Sequence, residues 1–222
     1  MIEATLKAIL TSPDFLVVWG LLVAVSLAVV LYDLRSRNPQ TPSLMKAVWL
    51  FTVLYSGPLG LAVYYYSGRK QIARDSLWRR SFRSVAHCYS GCGGGEIVGV
   101  FITAGLLSLS TWWVAGITFA LAYAGGFALT VGPLMQEDVP LHQALWDAVY
   151  SETASITVME VVAISVDIWL AGDATMAEPL FWASLAFSLS MGLLAAYPVN
   201  VLLIALGVKE GMHSPNETQS TK

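Results

Sequence analysis

Charge is scarce in this chain. Of its 222 residues, 12 are Lys or Arg and 15 are Asp or Glu, which is 12% of the total. A soluble domain of ordinary composition carries about 25%. Cysteine and histidine are scarcer still, at two and three. Neither C-x-x-C nor C-x-x-C-H occurs, so zinc knuckles and c-type haem attachment have no foothold. No G-x-x-x-x-G-K-[ST] is present either, so the chain carries no P-loop and binds no nucleotide through one. The polar stretches are too short for a soluble catalytic domain.

Hydrophobic residues make up 56% of the chain, and the mean hydropathy is +0.63. They come in long blocks rather than in alternation, the pattern of a multi-pass helical membrane protein. The expected fold class is all-α, with about six transmembrane helices arranged as three helical hairpins. The candidate segments are Phe15–Tyr32, Leu44–Tyr66, Val85–Leu109, Trp112–Met135, Leu145–Leu170 and Pro179–Val208. The first is not expected to be a cleaved signal peptide, because Asp14 precedes it and a basic start is missing. The reading is of one transmembrane domain over residues 1–210, a basic amphipathic loop over 68–84 and a disordered tail over 211–222.

Lys and Arg set the expected orientation. The loop between segments two and three holds Arg69, Lys70, Arg74, Arg79, Arg80 and Arg83. With six spans, that loop shares a side with both termini, giving nine basic residues against three on the other side. Both termini are therefore expected in the cytoplasm, with the chain in a bacterial inner membrane. Ile72, Leu77, Trp78 and Phe82 lie among the charges, as in a surface-lying helix that grips anionic lipid. The bilayer is the expected partner there, rather than nucleic acid. Six short helices also leave room for a homo-oligomer.

Prolines punctuate the even-numbered segments at Pro58, Pro133 and Pro198. Each bends or breaks a helix and frees a backbone carbonyl. The last two hairpins suggest a repeat at an offset of 64. Glu96-Ile-Val-Gly then falls on Glu160-Val-Val-Ala, and Cys88 on Glu152. Such hairpins would be parallel repeats about an axis along the membrane normal.

The chemistry concentrates in HCYSGCGGGE, residues 87–96. On a helix, Cys88, Cys92 and Glu96 form one stripe. Gly91, Gly95 and Gly99 form the next, a G-x-x-x-G-x-x-x-G surface for close helix contact. These glycines are expected to bring a second helix, the one bearing Glu160, up to the thiols. Carboxylates inside a span cost roughly 2.5–3.5 kcal/mol each. Glu96, Glu152 and Glu160 should therefore point inward, to a cavity, a partner or a cation. Thiolate and imidazole suit copper, zinc or iron. The candidate metal ligands are His87, Cys88, Cys92, Glu96, Glu152, Glu160 and His213. A redox pair fits less well, because side chains four apart on a helix make poor disulfide geometry. Plain packing explains Cys92 and the glycines but not His87 or Glu96.

The run H-C-x-x-G-C with an acid four residues later resembles a bacterial membrane family known as domain of unknown function 4396. The resemblance rests on WLFTVLYSGPLGL (49–61), HCYSGCGGGEIVG (87–99) and YPVNVLLIALGVKEGMH (197–213). It implies a small polytopic protein without an assigned activity. It also implies that His87, Cys88, Cys92, Glu96, Pro198, Asn200 and His213 belong to one shared pattern. The leading functional expectation is binding and movement of a soft transition-metal ion, with the thiols and imidazole capturing it and Glu96 and Glu160 passing it on. The alternatives are a metal- or thiol-dependent membrane oxidoreductase and a proton-coupled permease for a small solute.

Overall fold

The structure is a computed structural model that describes residues 1–136 and 138–212. His213 lies outside the described residues. These residues build eight α-helices and no strand. A short helix α1 (Ile2–Leu10) precedes α2 (Pro13–Ser36), which opens with Pro13 in its first turn and with Ser12 accepting the Phe15 N–H at 3.2 Å. Then come α3 (Ser43–Ser56), α4 (Pro58–Ser67) and α5 (Leu77–Val100). A π-helical stretch, Phe101–Leu106, continues α5. Last are α6 (Thr111–Gln136), α7 (Leu141–Ala171) and α8 (Pro179–Ala205).

Four of these helices are long and apolar enough to cross a membrane: α2, α6, α7 and α8. The expectation of six therefore needs correction, and the clearest departure is at Leu44–Tyr66. That stretch is not one helix. It breaks at Gly57, whose φ of +53° suits glycine, and Pro58 restarts the helix. The two pieces fold back on each other. Trp49 meets Tyr64 edge-on with ring centroids 5.3 Å apart, whereas fifteen residues of straight helix would hold them about 22 Å apart. A Cβ on Gly60 would overlap the Thr52 carbonyl oxygen. So α3 enters, turns at Gly57 and returns beside itself as α4. At 14 residues, α3 is only about 21 Å long.

Polar contacts fix where this hairpin begins and ends. Asp33 near the end of α2 accepts from Arg69 through both oxygens (2.9 and 3.0 Å), from Tyr64 Oη at 2.7 Å and from Asn38 at 2.8 Å. The end of α2 and both ends of the hairpin therefore lie together. The hairpin tip is deep. Ser56 Oγ lies 2.7 Å from Tyr89 Oη on α5 and 3.2 Å from Ser190 Oγ on α8. Residues 68–84 do not form one surface helix. From Leu77 onward they are the first turns of α5, and Arg83 is buried there. It donates to Ser67 O (3.0 Å), Met212 O (2.9 Å) and Asp75 (2.5 Å).

The remaining helices form two antiparallel pairs, α5 with α6 and α7 with α8. In the first pair the glycine stripe does what its spacing suggests, but with a different partner from the expected one. A Cβ on Gly91 would fall 2.6 Å from Gly125 O, and one on Gly99 would fall 2.9 Å from Thr118 Cα. The glycines face α6, not the Glu160 helix, because α6 carries matching small residues at Gly125, Gly126 and Ala122. The stripe of α5 next to the glycines meets α7, where Cys88 and Glu152, 64 residues apart, touch directly. α5 and α7 run in the same direction, each antiparallel to α6, so these two positions lie at one level of the bundle.

Large apolar side chains remain outside, among them Val17, Leu21 and Val25 on α2. Exposed aromatics gather at the two ends of the bundle. Trp112, Trp113, Trp169 and Trp182 mark one end, and Tyr32, Trp78 and Trp146 mark the other. That is the arrangement of aromatic belts at two membrane–water interfaces.

Candidate functional site

The α5–α7 contact carries two polar layers. The first lies toward the end where α5 and α7 begin. Glu152 is its hub. Its Oε2 accepts from the Cys88 thiol at 2.8 Å and from Lys209 Nζ at 2.5 Å, and its Oε1 lies 3.4 Å from Thr130 Oγ1 on α6. Lys209, just past α8, also donates to Asn200 Oδ1 at 3.1 Å, and its Nζ lies 3.7 Å from Cys88 Sγ. Asn200 in turn donates to Ser155 Oγ at 2.5 Å and to Ala196 O at 3.0 Å. The charged pair is buried but well satisfied, which such a pair requires. His87 is buried close by, and its Nε2 has no partner.

The second layer lies eight residues, about two turns, further along both helices. Glu96 is 2% exposed and Glu160 fully buried. Neither oxygen of Glu160 makes a well-formed hydrogen bond, although the Cys92 thiol lies beside its carboxyl, and Glu96 Oε2 is also without a partner. Glu160 and Asp167 are near enough to Glu96 to act on it electrostatically. Asp167 accepts from Ser184 Oγ at 2.6 Å. Between the layers sits a tight apolar belt in which Cys92, Ile156, Met159 and Leu193 are all buried.

A cavity of about 630 Å³ reaches the second layer from the Trp112 end of the bundle. Glu96 and Asp167 line it, with Thr118 and the π-helical turn of α5. π-helical turns recur at functional sites because they displace a helix face by one residue. Here the stretch begins five residues after Glu96.

The structure thus brings Cys88 and Glu152 into one network, and places Glu96 and Glu160 one layer deeper, with Cys92 in the belt between. The fit to a transition metal is poor. Among the described residues, no three His, Cys, Asp or Glu side chains are grouped as a bound ion requires. Cys88 and Glu152 already share an ammonium group.

Two further participants have weaker signals in the sequence. Lys209 is a lone lysine directly after a span, a natural partner for a buried acid. Asp167 stands seven residues after Glu160, a spacing that puts both on one face.

A family profile, the domain of unknown function DUF4396, matches residues 77–209. The chain belongs to this family. The match covers both hairpin pairs and every residue of the two polar layers. It begins after the α3–α4 hairpin, so WLFTVLYSGPLGL lies outside it. Comparison with curated proteins and with solved structures finds no significant match.

Proposed function

We propose that this chain is a membrane transporter that exchanges a cation for protons, with Glu96 and Glu160 as the carrying carboxylates. One observation carries the reading: two buried acids on facing helices hold carboxylate oxygens without a well-formed hydrogen bond, and a cavity open at one end of the bundle stops at the first of them. An enclosed carboxyl without a counter-ion is costly in its charged form. A proton or a cation each removes that cost, and alternation between the two is the coupling chemistry. The α5–α7 seam supplies the route. On its far side the route is closed by the apolar belt around Cys92 and by the Lys209–Glu152 pair.

In this reading α5 crosses the bilayer together with α2, α6, α7 and α8, and α3–α4 is a re-entrant hairpin. Five crossings put the two chain ends on opposite faces. The basic residues around Arg69 to Arg83 then place the Lys209 end in the cytoplasm and the cavity mouth outside.

A soft metal ion is the second reading of the cargo. It is favoured by the buried, unpartnered Nε2 of His87 beside the Cys88 network. In that case Lys209 must leave before Cys88 and Glu152 can bind copper, zinc or iron.

Purified protein in liposomes with a trapped pH dye tests the proposal. Alkali, zinc, cuprous and organic ammonium salts are added outside in turn. At least one class should alkalinise the lumen of wild-type vesicles beyond the level in Glu160→Gln vesicles. Equal responses for every class would overturn the reading.

A further inference from the structure

The cavity below the π-helical turn has a chemistry of its own. Its polar floor is acidic, with Glu96 and Asp167, and no lysine or arginine lines it. Two of its polar atoms are buried without partners, Glu96 Oε2 and Thr118 Oγ1. A buried acceptor without a donor marks a place where a ligand's donor fits. The rest of the wall is mainly aliphatic, with Val100, Ile164 and the ring of Phe181, while the connecting segments add Ser108, Ser110, Thr111, Asp173 and Thr175. A metal ion needs a close cage of donor atoms and no such volume. A pocket of about 630 Å³ lies in the range that encloses small organic molecules.

We propose that this cavity binds a small organic cation, with its ammonium group on Glu96 and Thr118 beside Asp167 and its apolar body against Val100, Ile164 and Phe181. The inference rests on the transporter reading of Glu96 and names the class of its cargo. The α7–α8 connection covers the mouth. Met176 Sδ would lie 3.0 Å from a Cβ on Gly105 in the π-helical turn, and the Met176 carbonyl accepts from Trp182 Nε1 at 2.9 Å. Binding brings a positive charge to an enclosed carboxyl whose charged form is otherwise costly, so the ligand takes the place that a proton can fill.

Titration calorimetry of the full-length protein in detergent, with 2-phenylethylammonium chloride as probe, tests this. Saturable binding is expected, at least tenfold weaker in Glu96→Gln. The uncharged 3-phenylpropan-1-ol should bind at least tenfold more weakly than the ammonium probe. Gly105→Leu provides a second variant: Gly105 lines the cavity, and a Cβ there meets only the flexible end of Met176 within 4 Å. It too should reduce probe binding at least tenfold. Equal binding of the alcohol, unchanged binding in both variants, or no binding at all would overturn the assignment. So would zinc chloride binding that depends on Glu96 when probe binding does not. Cation-driven proton flux that persists in a protein that does not bind the probe removes the organic cargo and leaves the transporter reading intact. Probe binding without flux removes the transporter reading instead.

Discussion

Cys88 and Glu152 stand 64 residues apart in the chain and share a 2.8 Å hydrogen bond. Sixty-four is also the offset at which Glu96 falls on Glu160. Two pairs of positions at that offset lie along the one α5–α7 seam, and the acids at that seam have been treated differently. Glu152 received a lysine, whereas Glu160 received none.

That asymmetry gives the first prediction. Lys209→Met leaves Glu152 buried without its cation, and Glu152→Gln leaves the ammonium without its anion. Each should destabilise by about 3–5 kcal/mol, the usual cost of breaking a buried pair from one side. The double variant should lose less than the sum, because it leaves no buried charge. Thermal unfolding in detergent reads all three. Additive losses would show that the pair is not coupled.

The second prediction concerns topology. If α3 and α4 form a re-entrant hairpin, Ser36 and Gln71 lie on one face of the membrane and Ser12 on the other. Single cysteines at these three positions, in a background with Cys88 and Cys92 replaced by serine, are labelled in oriented vesicles with an impermeant maleimide. Ser36→Cys and Gln71→Cys should react from the same side and Ser12→Cys from the opposite side. Reaction of Ser36→Cys and Gln71→Cys from opposite sides would restore a full crossing.

The same hairpin shows where the sequence was legible and where it was not. Hydropathy locates α2, α6, α7 and α8 to within a few residues, because lipid-facing and most buried positions are apolar there, the buried acids of α7 being too few to break the run. It cannot distinguish a 23-residue span from two short helices folded on each other, since both present the same composition. The discriminating signal was Gly57 beside Pro58, which reads equally as a kink. The glycine stripe on α5 was legible as a contact surface. Its partner was not, because that choice depends on Gly125 and Gly126 lying at the matching height on α6. The Lys209 pairing arises only when the chain returns after α8, a long-range fact that local pattern does not carry.

The third prediction follows from that stripe. A Cβ on Gly95 would overlap the Leu121 carbonyl oxygen, and backbone cannot rotate away as a side chain can. Gly95→Ala should therefore force α5 from α6 and cost about 1–3 kcal/mol, in the range of overpacked cores. Gly116 has nothing within 4 Å, so Gly116→Ala on α6 should be neutral or slightly stabilising. Melting temperatures of the two variants should separate clearly. Similar behaviour would mean that the α5–α6 contact is looser than described.

The fourth concerns the thiols. Cys88 and Cys92 are both free and both fully buried. Cys88 donates to Glu152, while Cys92 packs with Ile156 and Met159 in the belt between the two polar layers. A thiol reagent reaches neither without opening the seam. Intact protein should therefore show no fast reaction with a disulfide dye, and two thiols after denaturation in dodecyl sulfate. Addition of a transported cation should speed the reaction of Cys92 at least severalfold, because passage from Glu160 to Glu152 must part the belt that encloses it. Fast reaction of both thiols in the resting protein would show that the belt is not a barrier. A Cys92 rate that no cation changes, in vesicles that do exchange protons, would place the route elsewhere than the α5–α7 seam.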